Sequence, residues 1–266
     1  MSCTVARADV GVFGGSGFYT LGAAAEQVVI ETPYGPTSAK VAIAEMNGKR
    51  VAFLPRHGTE HQYLPAQVPY RANLWAMKEL GVKHIIAPCS VGSLQPHIKP
   101  GSFVICDQFV DRTSGREDTF FKGPIATHIS MADPYCPKLR AQATQAARDL
   151  GIEVHDRGTM VVIQGPRFST RAESQWFQKM GWAVVNMTGY PECSLARELD
   201  MCYVSVALIT DYDAGTEGVT EPVTMEEVFR VFNENNDKVR QLIMELVKRI
   251  DLHEDCSCRH TVEKSR

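Results

Sequence analysis

The chain has 266 residues, of which 22% are charged and 44% apolar, with a net charge of −3 and a pI of about 6.2. This composition is typical of a soluble globular protein, and the length suits one large α/β domain. The charge balance argues against nucleic-acid binding, and no run approaches the ~20 apolar residues of a membrane span. The N-terminus lacks the apolar core of a signal peptide, so the sequence predicts a cytoplasmic protein.

Apolar strands that end in glycine or polar residues recur in the first part of the chain. A glycine-rich turn over 14–17 follows the first strand, where backbone N–H groups and the Ser16 hydroxyl can contact an anion. A later strand ends at Arg56 and His57; the guanidinium can bind two phosphate oxygens, and the imidazole can add a donor. A plain tight turn and a surface pair are the alternative interpretations.

The next segments alternate predicted helices and strands. Apolar spacing predicts a helix over 70–80, and a strand over 84–88 leads into Cys89 and Ser90. A segment rich in Gly, Pro and His then runs from 111 to about 137, a length that is usually functional or interfacial. His128 lies within it, and we predict either a lid residue or a contact with a neighbouring subunit.

Two more strand ends carry candidate binding residues. A buried strand over 158–163 leads into Phe168 and Ser169, where the aromatic ring can stack on a planar ligand or pack in the core. After a helix over 171–180, a strand over 182–185 ends in the sequence Asn186-Met187-Thr188.

A pair of carboxylates follows the most apolar strand of the chain. The run 201–210 predicts a strand buried on both faces, and Asp211 and Asp213 come directly after it. Ligands of open α/β folds gather at such strand ends, and partly desolvated carboxylates can hold or deliver a proton near neutral pH. A solvated turn is the alternative. Beyond it, Thr224 caps a predicted helix from Met225 towards 250.

The C-terminal segment contains a C-x-C motif, Cys256 and Cys258. A metal site would need two more ligands, for which His253 and His260 are the nearest candidates, but no second cysteine pair supports it. A disulfide is a further alternative. We favour an inert polar tail over 256–266 and predict no metal site.

Six motifs now stand in one order along the chain. They are Gly14-Gly15-Ser16-Gly17, Pro55-Arg56-His57-Gly58, Val91-Gly92-Ser93-Leu94, Gly165-Pro166-Arg167-Phe168-Ser169, Asn186-Met187-Thr188 and Thr210-Asp211-Tyr212-Asp213. Together, over about residues 8–250, they resemble the S-methyl-5′-thioadenosine phosphorylase branch of the trimeric purine nucleoside phosphorylase family. The resemblance implies one α/β domain over 1–255, with a mixed, partly barrelled sheet flanked by helices. It also implies a homotrimer or a dimer of trimers.

The resemblance also assigns roles to residues. The implied phosphate contacts are Ser16, Arg56, His57, the Cys89-Ser90 region and Thr188; Met187 lies under the ribose; Phe168 and Ser169 border the base; Asp211 and Asp213 face the purine N7 and six-position; Met225 and Phe229 line the 5′ pocket. The family often has Ser or Thr where this chain has Cys89, and because a thiol is a weak donor the backbone can make that contact instead. Ala214 and Gly215 replace bulkier residues of some relatives, which could widen the site.

The implied reaction is phosphorolysis of S-methyl-5′-thioadenosine, with inorganic phosphate as co-substrate and no metal or organic cofactor. A carboxylate suits the 6-amino group of adenine as an acceptor, so we expect adenine nucleosides to be preferred over inosine or guanosine. Which of the two aspartates carries the proton stays open. The alternatives are a 6-oxopurine or methylthioinosine phosphorylase, a nucleosidase that uses water, and a catalytically silent nucleoside-binding module.

Overall fold

Eleven strands of the described residues form one mixed sheet, and five α-helices flank it. The computed structural model describes residues 6–15, 26–216, 218 and 222–265. The strands are β1 (Val10–Gly14), β2 (Glu26–Val28), β3 (Val41–Met46), β4 (Lys49–Pro55), β5 (His84–Ser93), β6 (Phe103–Ile105), β7 (Gln108–Arg112), β8 (Val154–His155), β9 (Thr159–Ile163), β10 (Val184–Asn186) and β11 (Cys202–Tyr212). The helices are α1 (Tyr70–Glu79), α2 (Pro137–Asp149), α3 (Arg171–Lys179), α4 (Gly189–Glu198) and α5 (Met225–Arg249). None of these helices combines the length and apolar character needed to cross a bilayer.

The sheet branches at β5. Its main path runs β2-β3-β4-β1-β5-β10-β9-β7, while β11 pairs with β5 and β6, and β6 pairs with β8. His84 at the start of β5 aligns with Val10 of β1 and Cys202 of β11, whereas Gly92 near its end aligns with Val185 of β10. The predicted single-domain α/β fold with a mixed sheet flanked by helices is confirmed, and within the described residues the sheet does not close.

Strand β11 and helix α5 carry much of the core. Every residue of β11 except Tyr212 is buried, as the apolar run predicts. In α5, buried residues recur every three or four positions, so one face packs on β11 and α2. Thr224 caps this helix by accepting a hydrogen bond from the backbone N–H of Glu227 at 3.3 Å. Burying one Leu or Val side chain contributes about 1.5–3 kcal/mol, so this face fixes the helix on the sheet.

Strand boundaries differ from the prediction mainly in β5. The sequence places its end at 88, because small and polar residues follow, yet the strand continues to Ser93. Partner strands on both sides, β11 and β10, supply hydrogen bonds that the local propensity does not indicate. The short strands β7 and β8 have no counterpart in the sequence prediction, and residues 113–136 form neither helix nor strand.

The C-terminal segment differs from the expected inert polar tail. Cys256 and Cys258 are 5% and 2% exposed, and Ser257–His260 forms a 3₁₀ turn. Lys138 of α2 donates to the backbone carbonyl of Asp255 at 2.8 Å, and Asp200 accepts from the backbone N–H of Val262 at 3.0 Å. These contacts hold the segment against the domain, so it is part of the packed structure.

Candidate active site

One cavity lies where several strands end. It has a volume of about 200 Å³ and is bordered by the residues after β1 and β4, by the second half of β5 and by the ends of β10 and β11. Its lining includes most of the predicted site residues: Arg56, His57, Cys89, Ser90, Phe168, Ser169, Met187, Thr188, Asp211, Asp213 and Met225. The parallel strands β4, β1 and β5 point their carboxyl ends towards it, which is the usual ligand position in such sheets.

A buried ion pair fixes the guanidinium on one wall of the cavity. Arg56 Nε and Nη2 donate to Glu192 Oε2 and Oε1 at 2.5 and 2.7 Å, and both side chains are almost fully buried. Tyr203 donates its hydroxyl to Glu192 Oε1 at 2.8 Å. Burial by itself would lower the pKa of Arg56, but the Glu192 carboxylate raises it above its ordinary value. The edge bearing Nη1 stays available for an anion, with one long contact of 3.4 Å to the Pro88 carbonyl.

The imidazole beside Arg56 is neutral at pH 7. Burial is the largest cause that lowers the pKa of His57 to about 4, and the charge of Arg56 adds to it. Because His57 Nδ1 lies 2.8 Å from the Tyr63 carbonyl, which can only accept, the proton of the neutral ring sits on Nδ1. Nε2 of the neutral ring is then an acceptor. The sequence analysis expected His57 to donate a hydrogen bond to an anion, which Nε2 can do only when the ring is protonated.

Hydroxyl groups complete this wall. The Ser90 Oγ is buried without a hydrogen-bond partner among the described residues. Among the described residues, Thr188 Oγ1 makes one long contact, of 3.3 Å, with Asn186 Oδ1. Burial raises the pKa of Cys89 to about 11, so its thiol is neutral, and Sγ lies 3.6 Å from Ser205 Oγ. Ser90 is therefore better placed than the Cys89 thiol to bind an anion. Ser16, the remaining predicted contact, lies outside the described residues.

A β-bulge positions the two carboxyl groups on the other wall. The register between β11 and β5 shifts between Ile209 and Asp211, and such an extra residue re-aims the side chains that follow it. Thr210 Oγ1 donates to Asp211 Oδ1 at 2.7 Å, and the backbone N–H of Asp213 donates to the Ser93 carbonyl at 2.9 Å. Asp211 belongs to β11 itself, whereas the sequence places it just beyond the strand.

Both carboxyl groups hold a proton more readily than usual. Burial is the largest cause that raises the pKa of Asp211 to about 6; its bond from Thr210 opposes the rise, and the charge of Asp213 adds to it. Burial likewise raises the pKa of Asp213, with the nearby hydroxyls of Ser174 and Ser169 partly offsetting it. Asp213 Oδ2 accepts no hydrogen bond within the described part of the chain, so it can receive one from a ligand.

Glycine at position 92 leaves the space that the acid pair occupies. A Cβ there would lie 2.9 Å from Asp211 Oδ2 and 3.1 Å from Val185 Cγ1. We expect Gly92→Ala to displace the Asp211 carboxylate and to lower the free energy of unfolding by about 1–3 kcal/mol. In an Asp211→Ala background, Gly92→Ala should lower the free energy of unfolding by less. Urea unfolding of the wild type, the two single variants and the double variant measures this difference. Equal costs in both backgrounds would contradict the contact.

The raised pKa of Asp211 predicts how stability depends on pH. The folded-state pKa lies above the ordinary value of 3.8, so the contribution of this group is fully present below about pH 4 and is lost as pH rises through about 6. Asp211→Asn cannot ionise at this position. Between pH 4 and pH 8, its free energy of unfolding should therefore rise by about 2–3 kcal/mol relative to that of the wild type. Urea unfolding at both pH values tests this; a pH-independent difference would contradict it.

The remaining predicted residues are divided between the cavity and the surface. Phe168 and Met187 line the cavity, and Met225 at the start of α5 lies at its edge, 44% exposed. Phe229 is not in the lining; the helix turns Val228 towards the cavity instead and leaves Phe229 36% exposed. His128 is exposed and does not border the cavity of its own chain.

The turn after the acid pair does not widen the cavity. Arg171 Nη1 donates to the Ala214 carbonyl at 2.7 Å, and the backbone N–H of Gly215 donates to Ser174 Oγ at 3.0 Å. A Cβ at Gly215 would lie 2.6 Å from the Arg171 carbonyl oxygen. The small residues serve close packing on α3, and neither lines the cavity.

Three supporting residues were not identified from the sequence. Glu192 accepts from Arg56 and from the Tyr203 hydroxyl, and Asn186 Oδ1 accepts hydrogen bonds from the backbone N–H groups of Thr188 and Gly189, both at 2.7 Å. Glu192 stands on α4, far from Arg56 along the chain, so no local pattern connects them. The available signal was weak: an acid inside an otherwise apolar stretch needs a partner when it is buried.

Comparison with known proteins identifies the family of the chain. The family model described as the phosphorylase superfamily matches residues 9–248. An S-methyl-5′-thioadenosine phosphorylase of Mycolicibacterium smegmatis is 54% identical over 93% of each chain, and a purine nucleoside phosphorylase of Streptomyces coelicolor is 48% identical over 95% of this chain and 93% of its own. The methylthioadenosine phosphorylase of Schistosoma mansoni, solved with adenine, superposes with a TM-score of 0.91 at 36% identity, covering 98% of this chain and 99% of its own. The chain therefore belongs to the phosphorylase superfamily, in its S-methyl-5′-thioadenosine phosphorylase branch.

Proposed function

We propose that the chain cleaves S-methyl-5′-thioadenosine with inorganic phosphate, giving adenine and 5-methylthioribose 1-phosphate. The observation that carries the proposal is the opposition of two walls in one cavity. One wall presents the fixed Arg56 guanidinium, and the other presents Asp211 and Asp213 with raised pKa values. The names of the relatives supply the substrate.

On the first wall, phosphate would bind between Arg56, Ser90 and Thr188. The buried Glu192 carboxylate holds the guanidinium in place, so little reorganisation accompanies the reaction. The neutral His57 ring can accept a hydrogen bond from a monoprotonated phosphate at Nε2, because Nδ1 donates to the Tyr63 carbonyl. A phosphate oxygen then forms a bond with C1′ of the sugar. On this wall, the main contribution to the rate is that the bound anion is already positioned for this attack.

On the second wall, an aspartic acid would assist departure of the base. As the C1′–N9 bond breaks, its electron pair moves into the purine, and N7 takes a proton from a carboxyl group. We assign this proton to Asp211, whose pKa of about 6 leaves part of the population protonated at neutral pH. Asp213 Oδ2 has no hydrogen-bond partner among the described residues, so it would accept a hydrogen bond from the 6-amino group of adenine.

The apolar edge of the cavity favours a methylthio group at the 5′ position. Met225, Val228 and Leu64 border the cavity, and Met225 and Leu64 are 44% and 46% exposed.

Exposed apolar residues beside a binding site are typical of a surface that a partner covers. We accordingly propose a homotrimer or a dimer of trimers, located in the cytoplasm. Analytical ultracentrifugation should give a mass of three or six times the 29.5 kDa chain; a monomer would contradict this.

A side-by-side assay tests the function. Methylthioadenosine, adenosine and inosine are each supplied with and without phosphate, and release of free base is followed. We expect methylthioadenosine to give the highest kcat/KM, and no adenine without phosphate. Equal release without phosphate would indicate a nucleosidase, and no release at all would indicate a nucleoside-binding module.

A 6-oxopurine phosphorylase is the second candidate. It is favoured by the relative from Streptomyces coelicolor, which is named a purine nucleoside phosphorylase. Inosine cleaved faster than methylthioadenosine in the same assay would establish it. The proposed role of Asp213 argues against it, because a 6-oxo group needs a hydrogen-bond donor at this position and a carboxylate is an acceptor.

A further inference from the structure

Four cysteine thiols from three parts of the chain meet at one buried point away from the active site. They are Cys136, Cys202, Cys256 and Cys258, and their sulfur atoms all lie within 4.8 Å of one another. Their exposures are between 0% and 5%. Cys136 is the N-cap of α2, Cys202 begins β11, and the other two belong to the C-terminal segment. None of the four lines the active-site cavity.

The spacing of the sulfur atoms fits a tetrahedral metal site. In a site with four Zn–S bonds of about 2.3 Å, neighbouring sulfur atoms lie about 3.8 Å apart. Cys136 Sγ and Cys256 Sγ are 3.7 Å apart, and every other sulfur pair lies within 4.8 Å, so no pair exceeds that value by more than about 1 Å. We infer that this cluster is a structural tetrathiolate site for a soft divalent cation, zinc in the first place.

The surroundings suit bound thiolates. The backbone N–H of Leu139 donates to Cys136 Sγ at 3.5 Å, and the N-terminus of α2 favours negative charge at that sulfur. Buried Arg197 places a positive charge near Cys258. A small cavity borders Cys136, Cys202 and Cys256. All four positions of a tetrahedron are taken by protein ligands, which is typical of a structural site and not of a catalytic one.

Convergence on one point favours a metal over the two alternatives raised by the C-x-C motif. An inert tail would have no reason to bury both of its cysteines against two others. Two disulfides would need two pairs of sulfur atoms bonded at about 2 Å. The four thiols are instead free, and their sulfur atoms form one group. The histidines first considered as ligands are not members: His260 contacts Asp255 at 2.9 Å instead. The missing second pair is supplied by Cys136 and Cys202, distant in sequence.

Bound metal would tie the C-terminal segment to α2 and β11. The free energy of metal binding to such a site appears as folding free energy, because the ligands converge only in the folded chain. We therefore expect metal removal to loosen the segment from residue 251 onwards, while leaving the strands around the active site in place.

Metal content is the direct test. The untagged full chain is purified under argon without reductant or chelator, and zinc is measured by inductively coupled plasma mass spectrometry; we expect about one zinc per chain. Protein produced in cobalt-supplemented medium should show the visible absorption of tetrahedral cobalt thiolate. Cys258→Ser should lower the bound metal at least about tenfold. The matched control is Cys193→Ala, a buried cysteine outside the cluster, which should keep its zinc.

Thiol counting separates the metal from a disulfide. After unfolding with a chelator and no reductant, all eight cysteines of the chain should be alkylated, as read by intact mass. Wild-type protein that contains no metal overturns the inference, whether its eight thiols are free or four of them are protected as disulfides. Neither readout depends on nucleoside cleavage, and circular dichroism shows whether the serine variant is folded.

Discussion

Asp211→Asn is expected to lower kcat/KM for methylthioadenosine by about 10²- to 10⁴-fold, the usual contribution of a positioned general acid. The amide keeps the size of the carboxyl group and can still accept from Thr210, so the cavity should keep its shape. It has no proton to transfer to N7 of the leaving purine. Steady-state kinetics at pH 6 and pH 8 measure the loss. In the wild type, kcat/KM should fall as pH rises through about 6, and the variant should lack that dependence.

The matched control for this substitution is Asp237→Asn, an exposed position on α5. It changes the net charge equally and should leave kcat/KM within about twofold. At the six-position, a side-chain amide can donate where a carboxylate only accepts, so Asp213→Asn should lose less activity on inosine than on methylthioadenosine. If Asp211→Asn keeps most of its activity on methylthioadenosine, the proton comes from elsewhere, and Asp213→Asn becomes the variant to compare.

Glu192→Gln is expected to lower the free energy of unfolding by about 3–5 kcal/mol, because it leaves the buried Arg56 guanidinium without its counter-charge. The same change should raise KM for phosphate, since the guanidinium loses the partner that sets its orientation. Its effect on KM for the nucleoside should be smaller, because Glu192 does not line the cavity. Urea unfolding and phosphate titration at saturating nucleoside measure the two effects.

A surface ion pair provides the control for Glu192. Glu234 accepts from Arg230 at 2.7 Å, with both side chains more than half exposed. Glu234→Gln should cost at most about 1 kcal/mol and leave KM for phosphate unchanged. If the two substitutions destabilise the protein equally, burial of the Arg56 pair has no special role. If Glu192→Gln alters stability but not KM for phosphate, the pair is structural and Glu192 does not position the anion site.

The strand ends were predictable because burial leaves a clear pattern. A strand covered on both faces is continuously apolar, so the first polar residue after it marks the sheet edge. Arg56 after β4 and Asp211 at the end of β11 stand out in this way. The start of α5 was equally local, because Thr224 caps it. Strand ends and helix starts depend on residues a few places apart in the chain, so they can be predicted from the sequence.

The sequence by itself therefore indicated the fold class, the family and eleven of the residues that border the cavity. The tertiary structure alone decided which distant side chains meet: Glu192 against Arg56, and the four cysteines at one point. It also decided the proton position on His57. The physical reason is that local patterns follow from backbone geometry and burial of the neighbouring residues. Ion pairing, desolvation and thiol clustering depend on through-space distances between residues far apart in the chain, which only the packed sheet sets.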